Sequence, residues 1–309
     1  MRELQPAPGM TILLPRETGG YDNDSGWTGI KTDNQHSSHH QPQDGPSDEE
    51  QLSSLANGWQ SIAVHTAAVA KELRAVLPHL LPTTTNEFEH HALLNAVPWH
   101  DIGKNHPDWK GAVVTALQKA GISDKEAHQP FAKFSLADSP SLVGLEGDAR
   151  KNRIRELRYS FRPGIAHEVA SALAFRQFEQ ARLGATRDTD FASLLAEYVI
   201  MSHHGRVRKV LRDEIPKSPN SEKDTHTVRG VTHGEPLPAV TIDGETLGCD
   251  ALSTDCRRMG RDARGHESYT RGVLRLLEHY GPFRLAFFEA VFRAADIRAS
   301  IQASHKTNA

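Results

Sequence analysis

The chain has 309 residues, a formal net charge of -3 and a sequence pI of about 6.7, so no global basicity points to nucleic acid, although a local patch would serve. Only two cysteines occur, Cys249 and Cys256, which argues against a disulfide framework and for a reducing, cytoplasmic setting. No apolar run nears the ~20 residues of a bilayer span and no secretory h-region is present, so no membrane association is expected.

Residues 1–52 read as an N-terminal extension. "MTILLP" has the make-up of one strand and "ETGGYDNDSGWTG" is rich in turn formers. "KTDNQHSSHHQPQDGPSDEEQ" is a polar linker, whose His36, His39 and His40 would bind metal only loosely. From Ser53 the pattern turns helical, with Ile62, His65, Val69, Leu73 and Val76 on one face. A second helix is expected from about Asn86 to near Asp101, carrying Leu94 and Val97 inward, with Gly103 as a stop and Pro107 against continuation. Pro98 inside it predicts a bend. Residues 121–162 read as irregular and end in the basic "RKNRIRELRYSFRPG".

A third helix is expected from near Pro163, with His167, Ala170, Ala174 and Phe178 in one stripe. The fourth, "DFASLLAEYVIMSHHG", carries Phe191, Leu195 and Val199 inward and stops at Gly205. Residues from about 212 to 266 form a long irregular insertion, in which "PAVTIDGETLG" reads as a hairpin around Asp243-Gly244. An insertion directly after His203 and His204 is placed to gate access to them. Two helices follow, about 267–280 and 283–301, with Pro282 between. The fold class is mainly α.

Histidine, with 18 copies, is the compositional outlier. His65 and His167 fall on inward stripes, His203 and His204 end the fourth helix, and Asp296 follows Phe288 and Phe292 at steps of four. Each alone has a plain explanation, a hydrogen-bonded core histidine or an aspartate paired with Arg293 or Arg298. Together they are harder to dismiss, because a buried carboxylate is costly unless paired or metal-bound. Histidine with aspartate suits a first-row divalent ion such as manganese, iron, cobalt, nickel or zinc. The adjacent His100 and Asp101 fit two ions, with Asp101 bridging. A dinuclear centre suits phosphoester hydrolysis, one ion acidifying a water and the other neutralising phosphoryl charge.

In order, His65, "HDIGK", His167, "SHHG" and Asp296 resemble the ligand pattern of the HD phosphohydrolase superfamily. "WHDIGKNHPDWK", "IAHEVASALAF", "IMSHHGR" and "GPFRLAFFEAVFRAADIRAS" are similar to the HD nuclease domain of the CRISPR-associated type I helicase-nuclease, and the last motif resembles the type I-G (formerly I-U) branch in particular. The resemblance covers residues 53–303 and implies an HD-domain helical bundle over 53–309. It implies cleavage of single-stranded DNA with two divalent ions (manganese, iron, nickel, cobalt or magnesium), alongside a helicase and the CRISPR surveillance complex. It places His65, His100, Asp101 and Asp296 on one ion, and Asp101, His167, His203 and His204 on the second. Asp101 and Lys104 become the catalytic pair, Lys104 lying beside the phosphate, and His106 matches a family histidine of lesser weight.

The chain carries no "GxxxxGK[ST]" helicase loop, so either a stand-alone nuclease subunit or a domain of a longer protein is expected. Arg150, Lys151, Arg153, Arg155, Arg158 and Arg162 precede the third helix, and Arg206, Arg208, Lys209 and Arg212 follow "SHHG". Of these, Arg158, Arg162, Arg206 and Arg208 are the candidate substrate contacts. Trp99, Trp109 and Tyr159 are candidates for base stacking. Two other readings stay open: an HD hydrolase of a dNTP, alarmone or cyclic dinucleotide, and a non-catalytic metal-bound interaction module.

Overall fold

Apolar side chains recurring every three or four residues make helices, and helices dominate the chain. The computed structural model describes residues 21–22, 26–27, 58–123, 129–183, 189–205, 209–212, 226–261 and 265–306. The chain divides into two units, Met1–Asp44 and Gly45–Ala309. In the first, β1 (Tyr21–Asp22) and β2 (Gly26–Trp27) pair antiparallel. The strand expected at "MTILLP" and His36, His39 and His40 lie outside the described residues.

In the second unit β3 (Gln60–Ser61) leads into α1 (Ile62–Leu80), whose first turn is closed by Ser61, its Oγ accepting the Val64 amide at 3.2 Å. Ile62, Val69, Leu73 and Leu77 are buried along it. Then come α2 (Thr83–Ala96), α3 (Pro107–Ala120), β4 (Phe131–Lys133, antiparallel to β3), α4 (Gly147–Tyr159), α5 (His167–Leu183) and α6 (Phe191–Ser202). Two hairpins follow, β5 (Thr227–Val228) with β6 (Val231–Thr232) and β7 (Leu237–Ile242) with β8 (Glu245–Cys249). The last helix, α7 (Tyr269–Lys306), breaks at Gly281.

The core is a helical bundle. α1 lies along α7, and α6 packs against α2, α5 and α7. Every residue of α6 from Ser193 to Ser202 is buried, so this helix is the centre of the unit. Its start is fixed by Asp190, whose Oδ1 accepts the Ser193 amide at 2.8 Å. Asp190→Ala is expected to lower the unfolding free energy by about 1 kcal/mol in a urea titration. Arg176 of α5 grips Glu197 of α6 with two bonds of 2.7 and 2.8 Å and donates a third to Glu267 O at 2.8 Å. That buried bidentate pair ties together the middles of the two helices that carry His167 at a start and His203 at an end.

Several expectations need correction. Residues 121–162 are not all irregular: α4 occupies 147–159, and its basic composition hid it because only Leu157 is buried. Pro107 does bar continuation of the second helix, but it also opens a helix that was not expected, α3, as its first-turn residue. α5 starts at His167, not Pro163, because Gly164 is left-handed (φ 72°) and the Ala166 amide is drawn to Arg229 O. Phe178, placed on the inward stripe, is about half exposed. The hairpin around Asp243-Gly244 forms as expected, with φ of 50° and 85° at the two turn residues, the primed turn that matches strand twist. Gly281 and Pro282 separate two helical segments as the sequence predicts.

Candidate metal centre

α2 stops at Ala96 because Pro98 has no N–H to continue the ladder. The Trp99 and His100 amides still reach Ala96 O at 3.2 and 3.1 Å, and Asp101 (φ -110°, ψ 0°) passes the chain to a 3-10 turn, Ile102–Asn105. Consecutive side chains, which a regular helix would splay apart, thus enter one pocket. Gly103 lets this turn press against the start of α5. Its amide donates to Ser171 Oγ at 2.8 Å, and a Cβ there would stand 2.0 Å from His167 O. Gly103→Ala is expected to cost about 1–3 kcal/mol in chemical denaturation and to displace His167.

Asp101 sits at the centre of the cluster. Its Oδ2 lies 3.6 Å from His65 Nε2 and 3.7 Å from His100 Nε2. Its Oδ1 lies 3.3 Å from His167 Nε2 and 3.8 Å from His203 Nε2. One carboxylate therefore turns one oxygen to each of two histidine groups. Asp296, from α7, joins the first group through Oδ1, which accepts from His65 Nε2 at 2.8 Å. His204 joins the second, with Nε2 only 2.9 Å from His167 Nε2. Two compact donor sets result, His65 with His100 and Asp101, and His167 with His203 and His204, each within 4.8 Å.

The imidazoles are oriented by the backbone. Carbonyls only accept, so His100 donates Nδ1–H to Val97 O and His203 donates Nδ1–H to Ile200 O, both at 2.7 Å. In a neutral ring that bond fixes the tautomer and leaves Nε2 as the lone pair facing inward. Both Nε2 atoms are buried without a hydrogen-bond partner. Burial pushes His100 and His167 down to about 4, and it lowers His65 and His204 as well. Burial alone would raise Asp101 and Asp296. Nearby cations, Lys104 first for Asp101 and Lys133 first for Asp296, instead hold both well below the usual carboxylate range. Neutral imidazoles, ionised carboxylates and orphaned lone pairs are the donor set that divalent first-row ions require, so the residues fit two such ions.

Seven expected ligands, His65, His100, Asp101, His167, His203, His204 and Asp296, are brought together. Asp296 is not held by Arg293 or Arg298: it takes His65 and Lys133, while Arg298 pairs with Glu72 at 2.6 Å. Lys104 is buried, its Nζ on Asp101 Oδ2 at 2.9 Å and on Ala132 O at 3.2 Å. Lys133 of β4, 3.9 Å from Asp296, had no signal in a three-residue strand. His106 lies apart: Nδ1 accepts the Asp108 amide, capping α3, and Nε2–H donates to Glu235 at 3.2 Å. Asn105 donates to Pro238 O and Ala239 O, so the β7 hairpin of the insertion is tied to the metal-facing turn.

Among the candidate substrate contacts, Arg158 and Arg162 are exposed, Arg162 over the Tyr159 ring at 5.3 Å, while Arg206 and Arg208 lie outside the described residues. Trp99 and Trp109 are buried core residues, Trp109 edge-on to His167 at 4.6 Å, and are not available to stack bases. His204 alone of the seven ligands is not buried, which marks the side from which solvent reaches the cluster. Arg293 stands at that side, against Gly205. No helix of the described residues is long and apolar enough to cross a membrane. No family model, curated protein or solved structure matches the chain.

Proposed function

We propose that the chain is a metal-dependent phosphodiester hydrolase of the HD type, cutting single-stranded DNA. The observation that carries this reading is Asp101, with one oxygen toward His65 and His100 and the other toward His167 and His203. Two divalent ions bound there would supply Lewis-acid charge and acidify water, the chemistry that in-line phosphoester hydrolysis needs. The chain's own residues do the rest. Asp101 joins the two donor groups, and the Val97 and Ile200 carbonyls keep two imidazoles aimed. Lys104 and Lys133, held beside Asp101 and Asp296, would add positive charge close to a bound anionic phosphate. Exposed basic residues of α4 and Arg162 suit a phosphate backbone.

The motif resemblance extends this to the HD nuclease of the CRISPR type I system, type I-G in particular, with a helicase and the surveillance complex as partners in the cytoplasm. A second reading, an HD nucleotide phosphohydrolase, draws on the burial of six of the seven ligands, which suits a small phosphoester entering past His204. Incubating the protein with labelled single-stranded DNA and manganese, nickel or cobalt, beside a panel of dNTPs, alarmones and cyclic dinucleotides, separates them. Cleavage of the strand is expected. Nucleotide turnover with intact DNA would replace the nuclease reading by the second.

A further inference from the structure

Gly281 (φ 72°, ψ 164°) breaks α7, and the helix that resumes at Pro282 turns one apolar face outward. Phe283, Phe287, Ala290, Ala294, Ile297 and Ile301 follow one another at steps of four, three, four, three and four, and all are exposed. Phe283 is 91% exposed, Phe287 40%, Ile297 47% and Ile301 52%. Alternating steps of three and four trace the straight seam of a left-handed coiled coil. The same helix meets the core with other residues, Leu285, Phe288, Val291, Phe292, Ala295 and Ala299, all buried. A helix face meant for water carries charge, and this seam has none. The arginines beside it are engaged within the chain, Arg284 with Glu89 at 3.1 Å and Arg298 with Glu72.

We propose that this seam pairs with the same seam of a second copy, antiparallel, about a two-fold axis at the level of Phe292. In that register Phe283 meets Ile301, Phe287 meets Ile297 and Ala290 meets Ala294. Large side chains fill both ends, and alanines let the helices approach at the centre. The patch is therefore self-complementary, as a two-fold interface requires. Opposed helix directions also set the macrodipoles favourably, which a parallel pair would not. At ~150–200 Å² for a full large apolar side chain, the four big residues expose about 400 Å² per copy. Pairing buries about 800 Å² before the alanines, Pro282 and arginine stems are counted, which together approach the ~1,000 Å² of a specific interface.

Analytical ultracentrifugation of the full chain, from micromolar to hundred-micromolar, tests the pairing. A reversible dimer is expected. Phe283→Glu with Ile301→Glu should weaken it by about 30-fold or more, with circular dichroism unchanged, and thermal melting unchanged at a concentration where the wild type is monomeric, because both positions are exposed. Phe283→Glu with Ile301→Lys sets opposite charges across an antiparallel pair and like charges across a parallel one, so it should restore the dimer. A wild-type chain that stays monomeric throughout, or a dimer indifferent to the double glutamate change, overturns the proposal. A dimer that the Glu/Lys combination fails to restore overturns the antiparallel register.

Discussion

Asp101→Asn is expected to lower kcat by about 10³-fold or more and to leave the protein with at most one tightly bound ion. The amide keeps the size of the carboxylate and loses its charge and one acceptor. Lys104 stands 2.9 Å from Oδ2, so the remaining carbonyl oxygen is drawn to that side and the NH2 group turns toward His167 and His203. The second donor group therefore loses its carboxylate first. Isothermal titration with manganese should show two equivalents in the wild type and no more than one in the variant. Wild-type cleavage by Asp101→Asn would remove Asp101 from the centre of the mechanism.

Stability has to be separated from chemistry in that experiment. Asp101→Asn leaves the Lys104 ammonium buried without its counter-charge, and breaking one side of a buried pair costs about 3–5 kcal/mol. The double variant Asp101→Asn, Lys104→Met removes both charges and should recover most of that loss in a urea titration. It should recover neither metal stoichiometry nor activity. A double variant that regains cleavage would show that the single change acted through folding alone.

How much of this was legible in the sequence follows from the range of the interactions. His65, His167 and Asp296 were visible because each sits at helical spacing among apolar residues, so a local period fixed the direction it faces. His100 with Asp101, and His203 with His204, were visible as polar pairs closing apolar runs, although the helix before the first pair ends at Ala96 and not at Asp101. Nothing local announced that Lys104 is buried, since that depends on Ala132 O arriving from β4. The Glu235–His106 pair and the Asn105 bonds to the hairpin join segments 129 to 134 residues apart, and Lys133 lies in a strand too short for a period. α4 escaped because its apolar side is one residue deep, and an exposed basic helix looks like a loop to any reading based on burial.

Chelation should abolish hydrolysis and leave the fold standing. Within the site Asp101 and Asp296 each have a buried lysine beside them, Lys104 and Lys133, so neither carboxylate depends on an ion for a counter-charge. EDTA-treated protein is therefore expected to melt cooperatively. Adding manganese, nickel or cobalt at about 100 times its Kd should stabilise it by about 2.7 kcal/mol for one site, a rise in Tm of about 5–10 °C for a domain of this size. An unchanged Tm with all three ions would remove the metal centre. The pH dependence has a definite sign. His100 and His167, pushed down to about 4 by burial, and both aspartates, held below their usual range by the lysines, are already deprotonated near pH 7. Metal binding should then release few protons from these four groups between pH 6 and 8. Protons should begin to compete with the ions for His100 and His167 only as pH falls toward 4. Protonation of His100 or His167 between pH 7 and 6, followed by their imidazole NMR shifts, would remove them as neutral donors.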